Sequence, residues 1–473
     1  MAEGKASADG RRPLILLVAA VAALAGVVYH VAGGGLSDGA YLQLFYADQL
    51  VAAEPFRINE DDPSCDATAN PLLVGLLSLG RLALGGGAGT VTARVLGVLI
   101  LAGFGLIAFV LAKNIGAGAP VACIAGLTVS LSPSVMAASC SLEPIALDAL
   151  LLVIAVTGVL RGIGTLVVAA GALTLTGYSG MFAGLVLAAA VPAIDAFKKK
   201  QLEKRYLLLL IPFALAVGRA LVGPLLFESV PLKEVLAPLA PSGEALLKER
   251  LLLVAALPVE IFTLLGGSVT GFLLSAAAFS LAVPRFRLRT SLAGALIAVA
   301  VTSLVLRGGE LMRLWAVPLV VVAGVVWSGY AWEERGPGGK KARWWVTAGV
   351  ALAFLVPPLA SFPQAGVEGE VLALCRRVPE ILPPRIVLAT AHPGTYRYLA
   401  GVPVVDLSGA LPPEIHEGRR NLAVVLERWA RRVTIRRPTY VVSDRKSIAE
   451  VESTPLLERV YPRTGNPNAL WHI

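Results

Sequence analysis

The sequence predicts an all-α polytopic membrane bundle of about eleven transmembrane helices, followed by a small α/β soluble domain at the C-terminal end. Three observations predict it. Of 473 residues, 56% are hydrophobic and only 15% charged, against about 25% charged in an ordinary soluble domain. Apolar runs approaching the roughly 20 residues that a bilayer requires recur along the first three quarters of the chain. The charges between those runs also alternate in sign bias, as membrane topology demands.

Taken in order, the apolar runs lie near 13–32, 91–112, 119–132, 144–160, 163–176, 180–194, 206–225, 258–283, 290–306, 314–331 and 344–361. The first follows Arg11 and Arg12, and it reads as an uncleaved anchor because hydrophobicity continues past Ala22–Gly26. Residues 162–195 are too long for one span, at about 50 Å of helix. They are expected to break at Gly177-Tyr178-Ser179-Gly180. With the N-terminus cytoplasmic, the inside segments carry 17 Lys and Arg against six Asp and Glu. The net charge of +9 is therefore a topology signal and not a nucleic-acid footprint. Collagen-like, disordered and disulfide-stapled classes are excluded, since 48 Gly show no triplet period and four Cys are few. Cys65, Cys140 and Cys375 fall outside and Cys123 within a span; their spacing supports no disulfide.

Three regions do not span. Residues 33–90 form an external loop with a short interfacial helix at 71–84 ending at Gly85-Gly86-Gly87. Residues 226–257 form a second external loop with an amphipathic, membrane-lying piece. Domain 1–364 then gives way to a soluble segment, 365–473, with 15 Lys/Arg and 11 Asp/Glu. There Ile386-Val387-Leu388, Val404–Leu407 and Tyr440-Val441-Val442 are β-type runs, while 414–432 has helical periodicity. An odd number of spans puts this domain outside.

Ionisable groups at a membrane surface are costly and mark function. Three acids fall on the outer face: Asp38 just after the first span, Glu143 at the start of the fourth, and Glu310 in a tight turn, Arg307-Gly308-Gly309-Glu310-Leu311-Met312-Arg313. Asp148 lies a turn deeper than Glu143. Structural roles compete with the functional ones. Asp38 suits a loop or helix cap, and Glu143 before Pro144 suits a helix N-terminus.

These residues resemble a family. Asp38-Gly39-Ala40-Tyr41, Tyr46-Ala47-Asp48-Gln49-Leu50 and Asn70-Pro71-Leu72 resemble the first external loop of the GT-C superfamily glycosyltransferases. Ser139–Leu147 is similar to that superfamily's Ser-Gly-Met-Glu-Thr-x-Leu pattern, and Gly308–Met312 with Arg313 and Pro318 to its Gly-Gly-Asp-x-Met pattern. Ala389–Gly394, Tyr398, Val402–Leu407 and Pro438–Val442 resemble the external domain of relatives of the cell-wall arabinofuranosyltransferases.

The resemblance implies a polyprenyl-phosphate-linked sugar donor, whose sugar passes to a hydroxyl of an external glycan, lipid or protein. Partners are then that donor, that acceptor and membrane lipids, with no nucleic acid. Phosphate leaves without protonation, so the needs are a carboxylate base for the acceptor hydroxyl and cations for the phosphate. Asp38 takes the base position, the alternative being that it only orients the acceptor, with Glu143 and Glu310 binding sugar hydroxyls or orienting the base, and Tyr41 and Asn70 in substrate binding. Arg307 and Arg313, beside Glu310, are the first choice for the phosphate, with Arg219 and Arg250 next; the other outer cations snorkel. No cofactor is certain. A divalent metal is left open, but no His or Cys cluster supports one. His392 is read as structural.

Three positions depart from the pattern. Gly39 stands where relatives carry a second acid, Thr176-Gly177-Tyr178-Ser179-Gly180 replaces a Thr-Arg-Pro-Glu-Gly run, and Glu310 replaces Asp. Altered donor chemistry accounts for these changes and so does an inactive GT-C-like scaffold; a transporter or flippase of a lipid-linked saccharide is a separate alternative, which expects charges midway through the spans, where Asp148 and Glu260 are the candidates. The expected location is a cell membrane, with the Ala, Gly and Leu bias leaning to a bacterial inner membrane.

Overall fold

The computed structural model describes residues 12–54, 70–85, 88–114, 116–199, 204–227, 314, 321–322, 325, 367, 369–381, 387–390, 392–406, 440–443, 458–459 and 469–472. The spans expected at 258–283, 290–306 and 344–361, the loop 226–257 beyond residue 227 and the helix 414–432 lie outside them. Within 314–331, residues 314, 321, 322 and 325 are described and helical. The chain divides into two compact units. One comprises Met1–Gly34, Arg94–Arg219 and Leu239–Ala365; the other comprises Gly35–Ala93, Ala220–Pro238 and Gly366–Ile473.

The first unit is helical where it is described. It contains α1 (Arg12–Val31), most of α4 (Gly89–Asn114), α5 (Ala119–Ser130), α6 (Pro133–Cys140), α7 (Pro144–Arg161), α8 (Ile163–Thr174), α9 (Tyr178–Lys199) and the start of α10 (Leu210–Phe227). Among the described residues, α1 and α4 are long and apolar enough to cross a membrane, and α5 with α6 makes a third such segment bent by 59°. The expected run 119–132 is thus α5, and a further helix, α6, follows it, where the sequence reading placed none. Pro133 lacks an amide hydrogen and takes the N1 position of α6 behind Ser132, so the helix cannot continue through it. The break expected at residues 177–180 also falls earlier: α8 ends at Thr174, and α9 resumes at Tyr178.

Small residues set the helix crossings, as they do where apolar packing against lipid supplies no net drive. A Cβ on Gly105 would meet Val18 at 2.9 Å, and one on Gly126 would meet the Gly105 carbonyl oxygen at 2.8 Å. Helices α4 and α5 therefore approach through their backbones there, with the Val18 side chain of α1 packed against both glycines. Phe104, Leu101, Leu152 and Leu166 fill the buried interior alongside.

The second unit contains α2 (Asp38–Val51), α3 (Pro71–Leu84), α11 (Gly369–Ile381), α12 (Pro393–Ala400) and five strands. The region expected as a loop with one helix holds two helices, because Ser37 caps α2 by accepting from the Ala40 amide at 3.1 Å. It is buried on most sides, with Ala40, Tyr41, Leu42, Gln43, Leu44, Tyr46, Ala47 and Gln49 all inside. The short helix expected at 71–84 is α3. Asn70 caps it, accepting from the Leu73 amide at 3.1 Å, Pro71 opens it, and Gly85 at φ 91° closes it.

The strands are β1 (Leu388–Thr390), β2 (Val404–Asp406), β3 (Tyr440–Ser443), β4 (Glu458–Arg459) and β5 (Ala469–His472), in the order β2-β1-β3-β5-β4. β1 pairs in parallel with β2 and β3, while β5 runs antiparallel to β3 and β4. The helix between β1 and β2 is α12, so this pair is a short βαβ crossover. The first strand lies two residues beyond the expected 386–388, where Leu388 is fully buried. The Val367 amide donates to the Leu36 carbonyl at 3.0 Å, fastening residues far apart in sequence.

Candidate active site

Asp38 is the first residue of α2, and its side chain belongs to a contact between two helix N-termini. Asp38 Oδ1 accepts from the Thr395 amide and from Thr395 Oγ1, both at 2.7 Å, and Oδ2 accepts from the Gly394 amide at 3.3 Å. The physical reason lies in α12. Its N-cap, His392, makes no side-chain capping bond. Its first-turn amides carry partial positive charge and need an acceptor, which Asp38 supplies from another helix. The His392 amide itself donates to Thr390 Oγ1 at 3.0 Å at the end of β1. Close approach depends on Gly394, where a Cβ would collide with the Asp38 carbonyl oxygen and lie 2.8 Å from the Leu42 amide.

Burial raises the pKa of Asp38 above the ordinary carboxylate value, opposed by the Thr395 bonds, the nearby His392 and the Gly394 amide. Cys375 of α11 is buried beside them. Burial pushes its thiol up to about 12, and Asp38 pushes in the same direction. The thiol stays protonated and unreactive at neutral pH.

A second polar group links the same helices. Arg81 Nη2 of α3 lies 2.5 Å from Asp48 Oδ1 of α2, and Nη1 donates to the Tyr398 hydroxyl at 3.4 Å. Burial raises Asp48, against the pull of Arg81. Tyr41 packs against Tyr398 with ring centroids 5.8 Å apart, and the Arg397 guanidinium lies 5.0 Å from the centre of the Phe45 ring. Asn70 is buried, and its amide donates to Gln43 Oε1 at 2.8 Å. Asp38, Tyr41 and Asn70 thus share one unit. Tyr41 and Asn70 are almost wholly inside it, one as a ring contact and the other as a helix cap.

Glu143 and Arg219 belong to the other unit. Glu143 sits at the N-cap of α7 before Pro144, and its side chain does not cap that helix. The turn delivering it is strained: Leu142 is buried with φ 54°, a left-handed conformation usually left to glycine. Asp148 is buried, and its carboxylate lies close to Gly180 in the first turn of α9. Arg219 Nη1 donates to the Thr174 carbonyl at 3.2 Å and to the Thr176 carbonyl, covering the open C-terminal end of α8. Glu310, Arg307, Arg313 and Arg250 lie outside the described residues.

Sequence reading missed the Thr395 partnership. The signal was present in His392-Pro393-Gly394-Thr395, since Pro at a first helical position marks an N-terminus, and an uncapped one attracts an acid. Among the described residues no group of three or more His, Cys, Asp or Glu side chains is placed to hold a metal ion. At Asp38 the carboxylate is turned to N–H and O–H donors, and a divalent ion would draw on the same oxygens.

The fold is shared with solved membrane proteins. The chain is similar to the apo structure of ArnT from Cupriavidus metallidurans, at 14% identity over 98% of each chain and a TM-score of 0.56. It is also similar to the oligosaccharyltransferase AglB of Archaeoglobus fulgidus in complex with an inhibitory peptide and a dolichol-phosphate, at 14% identity, 92% of this chain, 69% of that chain and a TM-score of 0.54. A third similar structure is the A. fulgidus oligosaccharyltransferase in complex with Zn and sulfate, at 13% identity, 91% and 68% coverage and a TM-score of 0.56. No protein-family model and no curated protein matches the sequence.

Proposed function

We propose that the protein is a membrane glycosyltransferase that moves a sugar from a polyprenyl-phosphate-linked donor to a hydroxyl of an external glycan, lipid or protein. The observation that carries this reading is the fold likeness over 98% of both chains to ArnT. The dolichol-phosphate in an A. fulgidus oligosaccharyltransferase structure supports a lipid-phosphate donor. In the proposed reaction, the acceptor oxygen forms a bond to the sugar anomeric carbon as the bond from that carbon to the phosphate oxygen breaks. The acceptor proton passes to Asp38, and the polyprenyl phosphate leaves with the electron pair.

Burial suits Asp38 to that role, because a base nearer neutrality takes a proton more readily than an exposed carboxylate does. Glu143 and Glu310 are assigned to the sugar hydroxyls. Arg307 and Arg313, then Arg219 and Arg250, are assigned to the phosphate, and Tyr41 and Asn70 to the walls of the substrate site. Residues 1–364 form the membrane domain and 365–473 the external α/β domain of this reading, in a bacterial inner membrane with a cytoplasmic N-terminus. No resident metal is assigned.

The test is reconstitution in liposomes with undecaprenyl-phosphate monosaccharides, following release of undecaprenyl phosphate. Wild-type turnover that Asp38→Asn abolishes supports the assignment; undiminished turnover by the variant removes it. A second reading, an inactive scaffold, draws on the three donors already engaged by Asp38. It expects no turnover with any such donor and a large loss of thermal stability in Asp38→Asn.

A further inference from the structure

We propose that Thr395 is a positioning residue for Asp38, its hydroxyl and amide fixing the carboxylate so that Oδ2 is the oxygen that receives the acceptor proton. The inference rests on Asp38 being the base proposed above. Its ground is the asymmetry of the contact: Oδ1 takes two bonds of 2.7 Å, and Oδ2 takes one of 3.3 Å. An oxygen bonded to two strong donors holds less basic lone pairs. Oδ2 is the less loaded and the more basic atom.

The contact has the marks of a built arrangement. Thr395 is completely buried. Its hydroxyl has the Asp38 carboxylate as acceptor, and its helix begins with an N-cap that leaves the amides of Gly394 and Thr395 for Asp38. Gly394 permits the backbone approach that a side chain would block. The ionisable neighbours facing Asp38 are His392, on the chain leading into α12, and Cys375, on α11. The two short bonds to the carboxylate both come from Thr395, so orientation falls to that residue.

Thr395→Val keeps the shape and removes the hydroxyl, and Thr395→Ser restores the hydroxyl on a smaller side chain. The experiment uses full-length protein in nanodiscs, with undecaprenyl-phosphate mannose and undecaprenyl-phosphate arabinose as donor probes. In Thr395→Val, kcat is expected to fall about ten- to a hundredfold with donor KM unchanged, and Thr395→Ser is expected to recover most of it. In parallel, the Asp38 carboxyl band, isolated as the infrared difference between each protein and its Asp38→Asn counterpart, is titrated. Removing one donor to the charged form raises its midpoint by about one to two pH units.

An unshifted midpoint in Thr395→Val overturns the proposal. So does equal loss of turnover in the Ser and Val variants, which marks a packing role. The infrared arm reads the contact whether or not the donor probes turn over. Turnover surviving in Asp38→Asn with a shifted midpoint in Thr395→Val places the failure in the reading of Asp38 as base, not in the contact.

Discussion

Arg81 and Asp48 form an ion pair at 2.5 Å, their side chains 14% and 34% exposed. Because Arg81 also donates to Tyr398, the pair ties α2, α3 and α12 together.

Removing Arg81 therefore leaves a half-buried acid and a hydroxyl unsupported. With Asp48 partly solvated, the coupling is worth about 1 kcal/mol. A double-mutant cycle of Arg81→Met and Asp48→Asn, read by thermal unfolding, should return that value; strict additivity would show that the pair contributes nothing.

Gly394→Ala sets a Cβ against the Asp38 carbonyl and the Leu42 amide, both backbone atoms that cannot turn aside. The helices must separate, at an overpacking cost of about 1–3 kcal/mol. Hydrogen exchange at the Gly394 and Thr395 amides should accelerate in the variant, and unchanged protection would contradict the close approach.

Burial raises the pKa of Asp38 in the folded state above its unfolded value. The folded protein then binds more protons than the unfolded chain between those two values, and its stability falls as pH rises through that window. The stability supplied by the protonated carboxyl is complete below about pH 4 and gone above the folded value. The thermal midpoint of wild type, measured from pH 4 upward against that of Asp38→Asn, should fall relative to the variant across this window. Parallel curves would exclude a raised Asp38. Turnover, which needs the ionised form, should lose activity at a higher pH than an exposed aspartate would impose.

Arg219→Met strips donors from the Thr174 and Thr176 carbonyls at the end of α8. Leaving such groups without that partner costs about 1–3 kcal/mol. Lower thermal stability in the variant, partly recovered by Arg219→Lys, is the expected outcome; a variant as stable as wild type would assign the side chain another role.

Much of the helical order was legible in the sequence because its signals are local. Asn70-Pro71 and Gly85 bracket α3, and Pro144 after Glu143 places that acid at a helix start. The helix α2 was not anticipated, since its cap, Ser37, sits in a Gly-rich stretch that reads as loop. At the site, Asp38 stood out by charge alone. Its partner did not, because Thr395 is a neutral residue in a distant segment and no periodicity connects the two. The short helix α6 was likewise hidden, because the expected run stopped at residue 132 and the eight residues from Pro133 to Cys140 are too few to stand out as a span.

The bond between Asp38 and Thr395 joins residues 357 positions apart. At a synthesis rate of about 5–20 residues per second, roughly 20 to 70 s pass between the emergence of the two partners. Through that interval the carboxylate exists without the donors that will hold it, and α2 lacks the helix that will cover it. Completion of this corner is consequently a late event in the life of the nascent chain, and a chain arrested before Pro393 has Asp38 without either of its two C-terminal partners.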